Sequence, residues 1–125
     1  MSTPPESPFE RMEAAYAANP EPHPFSHYVD WHHRHGFVFS TPEFFVQGFA
    51  VNKDKLGAGV YPLDCYDRNG DCWYVADMAG DMSKAWSILP WELPFIGWHR
   101  DTPSGKDLHL VPLRRMRRLI SPTSP

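Results

Sequence analysis

Apolar and polar positions alternate and then change period within residues 72–112, CWYVADMAGDMSKAWSILPWELPFIGWHRDTPSGKDLHLVP. The stretch reads as a strand, a Gly-containing turn, a short amphipathic helix, a Pro-bounded loop and a strand hairpin. Met82, Ala85, Trp86 and Leu89 fall at i, i+3, i+4 and i+7, one face of a helix that Asp81 caps and Pro90 closes. This unit predicts a compact α+β domain and places its functional edge at Ala79-Gly80-Asp81.

Upstream, Ser7-Pro8-Phe9-Glu10 is a helix start, with Ser7 as cap, Pro8 at the first helical position and Glu10 three residues after the cap. Asn19-Pro20 ends that helix, and PEPHP (20–24) forms a stiff linker. A second helix runs from Ser26 to His35 and stops at Gly36, with Phe25, Tyr28, Val29 and His32 on one face. Strands follow at Phe37–Ser40 and Phe44–Asn52, the latter apolar on both sides and so central, with Gly48 marking a bulge or a close approach. Val60–Tyr66 and Cys72–Met78 are expected to pair as a hairpin across Asn69-Gly70. Phe95–Arg100 and Asp107–Val111 form a second hairpin, and Pro112 opens a terminal helix with Leu113, Met116 and Ile120 on its buried stripe. The expected architecture is one α+β domain: a mostly antiparallel sheet of five to six short strands carrying two N-terminal helices, one mid-chain helix and one C-terminal helix. Residues 1–24 form a Pro-rich arm with one short helix, 25–120 the domain and 121–125 a disordered tail.

Composition adds three points. The 125 residues suit one domain, and five Trp, five Tyr and eight Phe are enough large rings to fill its core. Charge is uneven: Arg100, Lys106, Arg114, Arg115, Arg117 and Arg118 oppose only Asp101 and Asp107 after residue 98, whereas acids dominate before it. The start, MSTPPESPFE, has neither the basic and apolar regions of a secretory signal nor an Arg-rich transit bias, and no apolar run is long enough to span a membrane. The expectation is a cytoplasmic protein in which Cys65 and Cys72, which flank the Asn-Gly turn, stay reduced.

A strand feeding a helix through a Gly turn aims backbone N–H groups at a crevice, which is the basis for ligand binding at Ala79, Gly80 and Asp81. The bland reading is that Asp81 caps those same groups and repels a phosphate. Two N-terminal helices, antiparallel strands, a strand–Gly turn–helix and a further strand resemble the layout of the GNAT acetyltransferases over residues 10–100. That resemblance implies an acyltransferase whose turn grips the acetyl-CoA pyrophosphate. Family members do this with a Gly-rich pattern led by Arg or Gln; here the stretch is Met78-Ala79-Gly80-Asp81-Met82, with one Gly and an acid inside.

Asp77, Asp81 and His99 are the candidate catalytic residues, beside Arg100. An acid and an imidazole meeting at one sheet edge can transfer protons, and the alternative is that these are ordinary turn formers. His23, His27, His32, His33 and His35 include one i,i+4 pair, but Pro24 interrupts it, so packing is preferred to a metal and no metal is expected. Asp67–Asp71 fails as a calcium loop because Cys65 and Ala76 fall where carboxylates belong. Arg114, Arg115, Arg117 and Arg118 suit phosphates or simply a solvated helix end. Trp91 and Glu92, in a loop between two prolines, form a rigid contact point for a partner.

No constellation here dictates a reaction. The leading expectation is a non-enzymatic accessory module with a protein partner or self-association and no cofactor. A divergent GNAT-like acyltransferase using the Gly80 cleft is second, and nucleic-acid binding through the C-terminal arginines is third.

Overall fold

A computed structural model describes residues 7–19, 21–88 and 92–113. The Ser7 signal is realised in full: its side chain accepts from the Glu10 N–H while Glu10 bonds back, and α1 runs Pro8–Ala18. Helix α2 runs Phe25–His35 and ends at Gly36. The five strands are β1 (Gly36–Ser40), β2 (Phe44–Val51), β3 (Cys72–Gly80), β4 (Phe95–Thr102) and β5 (Gly105–Pro112), and α3 (Met82–Ile88) connects β3 to β4. The chain is thus an α+β domain, with one sheet ordered β1-β2-β3-β4-β5.

Strand β2 is buried along its whole length and splits its side chains between two cores. Phe44 and Val46 join Phe37, Val75, Trp86 and Ile96 under α3. Phe45 faces the other way, against the rings of Phe9 from α1 and Phe25 from α2 at 5.4 and 5.8 Å. Phe49 continues that face, with Tyr74, Cys65 and Cys72. Helix α1, which the sequence places in the Pro-rich arm, packs on the sheet. The two cysteines are buried and unbridged.

Three details differ from expectation. Val60–Tyr66 is not a strand: Pro62–Cys65 winds as a 3-10 turn, and Tyr66 makes a single bridge to Val51. The Asn69-Gly70 hairpin does not form, and neither residue adopts the positive φ that a two-residue type I′ turn requires. Among the described residues only Gly80 and Gly105 have positive φ. Strand β3 pairs instead with β2. The sheet is also mixed, since β3 and β4 run parallel across α3 while the other three pairings are antiparallel. A parallel pair needs a crossover, and α3 supplies it. Finally, three helices are described rather than four: the expected C-terminal helix, including Met116 and Ile120, and the tail lie outside the described residues, where Leu113 is the last and is buried.

Candidate functional site

The site begins with a fault in the β2–β3 ladder. Gln47 pairs with Asp77 but Gly48 pairs with Val75, so Ala76 is an extra residue on β3. A bulge of this kind re-aims side chains. Tyr74 faces the helices, and strict alternation would send Asp77 to the opposite face with Trp73 and Val75. The bulge turns Asp77 back beneath α1 and α2, and lets Met78 rejoin the core of Trp73 and Val75. Gly48 permits the close approach: a Cβ there would lie 2.1 Å from the Tyr74 carbonyl oxygen.

Asp77 Oδ2 accepts from the Tyr16 hydroxyl and from Gln47 Nε2, each at 2.7 Å. The Tyr16 phenol is held far above its usual range, first by burial and then by the adjoining carboxylate. His32 sits beside this group, 6% exposed. Its Nδ1 donates to the Tyr28 carbonyl at 2.7 Å, so Nε2 is a bare lone pair, and that atom is buried without a partner. Gln47 Oε1 is buried and unpartnered too.

Around Asp77 lies a cavity of about 720 Å3. Its aromatic walls are Tyr16, Tyr28, Trp31, Phe49 and Tyr74, and its rim carries Tyr61, Leu63, Glu21, His23, His27 and Lys106. Tyr61 is 63% exposed, so the rim ends in a ring lying in water. His23 and His27 stack at 4.1 Å.

Burial sets His32's pKa below the ordinary 6.5, against the opposing pull of the Tyr28 carbonyl and the Asp77 charge. The sign of the pH effect follows. Below pH 6.5 the unfolded chain takes up a proton that folded His32 refuses, so the unfolded state binds more protons and stability falls on acidification. Urea midpoints are expected to drop from pH 7.5 to pH 5 in the native chain and to drop less in His32→Gln. Parallel pH profiles for the two would contradict the assignment.

The sequence candidates are placed as follows. Asp77 lines the cavity. His99 does not: its Nε2 donates to the Gly57 carbonyl at 2.8 Å and its Nδ1 accepts from the Tyr74 hydroxyl at 2.7 Å. Both imidazole nitrogens are therefore occupied, and Tyr74, its own pKa pushed up to about 12 chiefly by burial, connects His99 to the cavity wall. Asp81 is exposed at the start of α3 and accepts from the Lys84 N–H at 3.2 Å. Gly80 adopts φ 93°, and the Asp81 N–H donates to the Glu43 carbonyl at 2.9 Å. Glu43 also pairs with Lys84. Ala79 and Gly80 thus end β3, the Asp81 amide is taken by the Glu43 carbonyl, and none of the three lines the Asp77 cavity. Arg100 and Glu92 are exposed; Trp91, Arg114, Arg115, Arg117 and Arg118 lie outside the described residues. Burial pushes the Cys72 thiol up to about 12 and raises that of Cys65, so neither is primed as a nucleophile.

Sequence reasoning missed Tyr16 and Gln47. A signal for Gln47 existed, because it is the one polar residue in the apolar run FFVQGFAV. Tyr16 had none, since its partner lies 61 residues away.

Among the described residues no helix is long and apolar enough to cross a membrane. The chain matches no protein-family model, no curated protein and no solved structure.

Proposed function

We propose that the protein is a non-enzymatic binding module that receives a small ligand, or a partner's side chain, in the aromatic cavity over Asp77. The observation that carries this is the cavity's make-up: a half-open hollow with five aromatic walls and one carboxylate on its floor. Apolar walls with a few convergent polar groups are what ligand sites present. His99, the imidazole that the sequence singled out for proton transfer, lies outside the cavity with both ring nitrogens engaged, by Tyr74 and the Gly57 carbonyl. That favours holding over reacting, in keeping with an accessory role.

The test is a thermal-shift screen of the full chain against a panel of small cationic, neutral and anionic compounds. At least one class is expected to raise Tm, and Ala76→Phe, which fills the cavity from its floor, is expected to abolish the gain. A panel without effect would sink the proposal.

One observation favours a second reading, the divergent acyltransferase. The parallel β3–β4 pairing covers only Cys72–Tyr74 against Phe95–Gly97, after which both strands continue unpaired with one another. A parted sheet leaves an edge along which an extended ligand can lie. Acetyl-CoA at a hundredfold excess over its Kd would then stabilise the fold by about 2.7 kcal/mol. No shift with acetyl-CoA, alongside a shift with another compound blocked by Ala76→Phe, decides for the first reading. Nucleic-acid binding rests on arginines outside the described residues, and no structural observation favours it.

A further inference from the structure

Resting on the binding-module reading, we propose that the Asp77 cavity takes an alkylammonium group, the protonated end of a small aliphatic amine or of a lysine side chain.

The unsatisfied chemistry around Asp77 has one sign. Buried polar atoms are nearly always hydrogen-bonded, and exceptions call for an explanation. Three buried side-chain polar atoms among the described residues lack a partner. Trp73 Nε1 is a donor, and its ring packs in the core under α3, away from the cavity. The other two, His32 Nε2 and Gln47 Oε1, are acceptors; His32 lines the cavity with Asp77, whereas Gln47 is fully buried behind the carboxylate, off the cavity surface. Asp77 itself spends Oδ2 on Tyr16 and Gln47, and no donor among the described residues reaches Oδ1. The floor therefore gathers lone pairs from two separate elements, His32 of α2 and Asp77 of β3, and offers them no proton.

What answers that arrangement is a positive group with several divergent hydrogens. An ammonium carries three donors and no acceptor. A guanidinium's planar fork suits one carboxylate edge, whereas acceptors on two elements, α2 and β3, suit the rotatable ammonium head. Even where an acceptor is not touched directly, its lone pair deepens the negative potential at the floor. The walls agree, because the faces of Tyr, Trp and Phe attract cations and aromatic enclosures are a recurrent way to hold them. Glu21 at the rim adds a second carboxylate. The opposing charges are Lys106 and, when protonated, His23 and His27; Lys106 is exposed at the β5 end and lies 3.9 Å from Asp101. An anionic ligand would face Asp77 and Glu21 with no donor waiting on the floor.

The experiment uses the full chain and four probes: pentylammonium, its neutral isostere 1-pentanol, the anion pentanoate, and a blocked tripeptide with a central lysine. Binding is followed by the indole resonance of Trp31 and by calorimetry. Pentylammonium is expected to saturate and to weaken at least about tenfold in Asp77→Asn, about 1.4 kcal/mol in affinity. The comparison of pentylammonium with 1-pentanol needs no variant, so it stands even if Asp77→Asn folds poorly. Saturation by the tripeptide as well assigns the group to a lysine of a polypeptide; saturation by pentylammonium alone assigns it to a free amine. Pentanol or pentanoate binding as tightly as the amine overturns the ammonium inference and leaves the binding module standing. Silence from all four probes, with the broader compound panel still active at the cavity, likewise overturns only the ammonium inference. Silence from every compound overturns both.

Discussion

Phe45→Ala is expected to cost about 3–5 kcal/mol of folding stability, the range for truncating a fully buried phenylalanine. Phe45 is 0% exposed. It stands on the interior strand β2 at the point where both N-terminal helices meet the sheet, edge-on to Phe9 and tilted against Phe25. Truncation removes the ring and leaves a hole that three separate elements would have to close at once. The consequence reaches the cavity, because α1 carries Tyr16 and α2 carries Tyr28, Trp31 and His32. Urea unfolding of the variant checks the value, and a loss below about 1 kcal/mol would mean that α1 and α2 do not pack on this face.

The second large effect is expected at Asp77. Replacement by alanine strips the acceptor from Tyr16 and Gln47 together. Hydrogen bonds to a charged partner are worth about 1.5–3 kcal/mol each, and a donor left without its acceptor adds a desolvation cost. Asp77 is only half-buried, and water screens part of this. A net loss of about 2–3 kcal/mol follows. Gln47 bears most of it, being 0% exposed with its carbonyl oxygen already unpartnered. Asp77→Asn keeps an acceptor of the same shape and is expected to lose clearly less. Equal losses for the two variants, read by urea unfolding, would show that charge rather than acceptor geometry holds the pair.

Much of the fold was legible because its signals are local. The Ser7 cap, the Gly36 stop, the Asp81 cap and the apolar run of β2 each depend on a few adjacent residues, and each appears where the chemistry puts it. Errors arose where the outcome depends on a distant partner. Asn69-Gly70 is a strong hairpin signal, yet β3 finds a fully buried neighbour in β2 and gains more by pairing there than by folding back on Val60–Tyr66. The parallel β3–β4 register likewise leaves no mark in either strand's own pattern.

The candidate site was half-legible for the same reason. Asp77 stood out as an acid in an apolar strand, but strict alternation assigns it to the wrong face. Only the β2 register reveals the extra residue at Ala76 and the turn of the carboxylate toward Tyr16. The grouping of Asp77 with Asp81 and His99 came from proximity along the chain and in strand order. The structure separates them: Asp81 caps α3, and His99 is held between Tyr74 and the Gly57 carbonyl.

The most direct measurement of this account is a double-mutant cycle on Tyr16→Phe and Asp77→Ala, read by urea unfolding. Residues in contact couple by about 0.5–3 kcal/mol, whereas distant ones add. A hydroxyl donating to a carboxylate at 2.7 Å, from a helix to a bulged strand, predicts a coupling of about 1 kcal/mol or more. Simple additivity of the two losses would contradict the placement of Asp77 beneath α1, and with it the cavity built around that carboxylate.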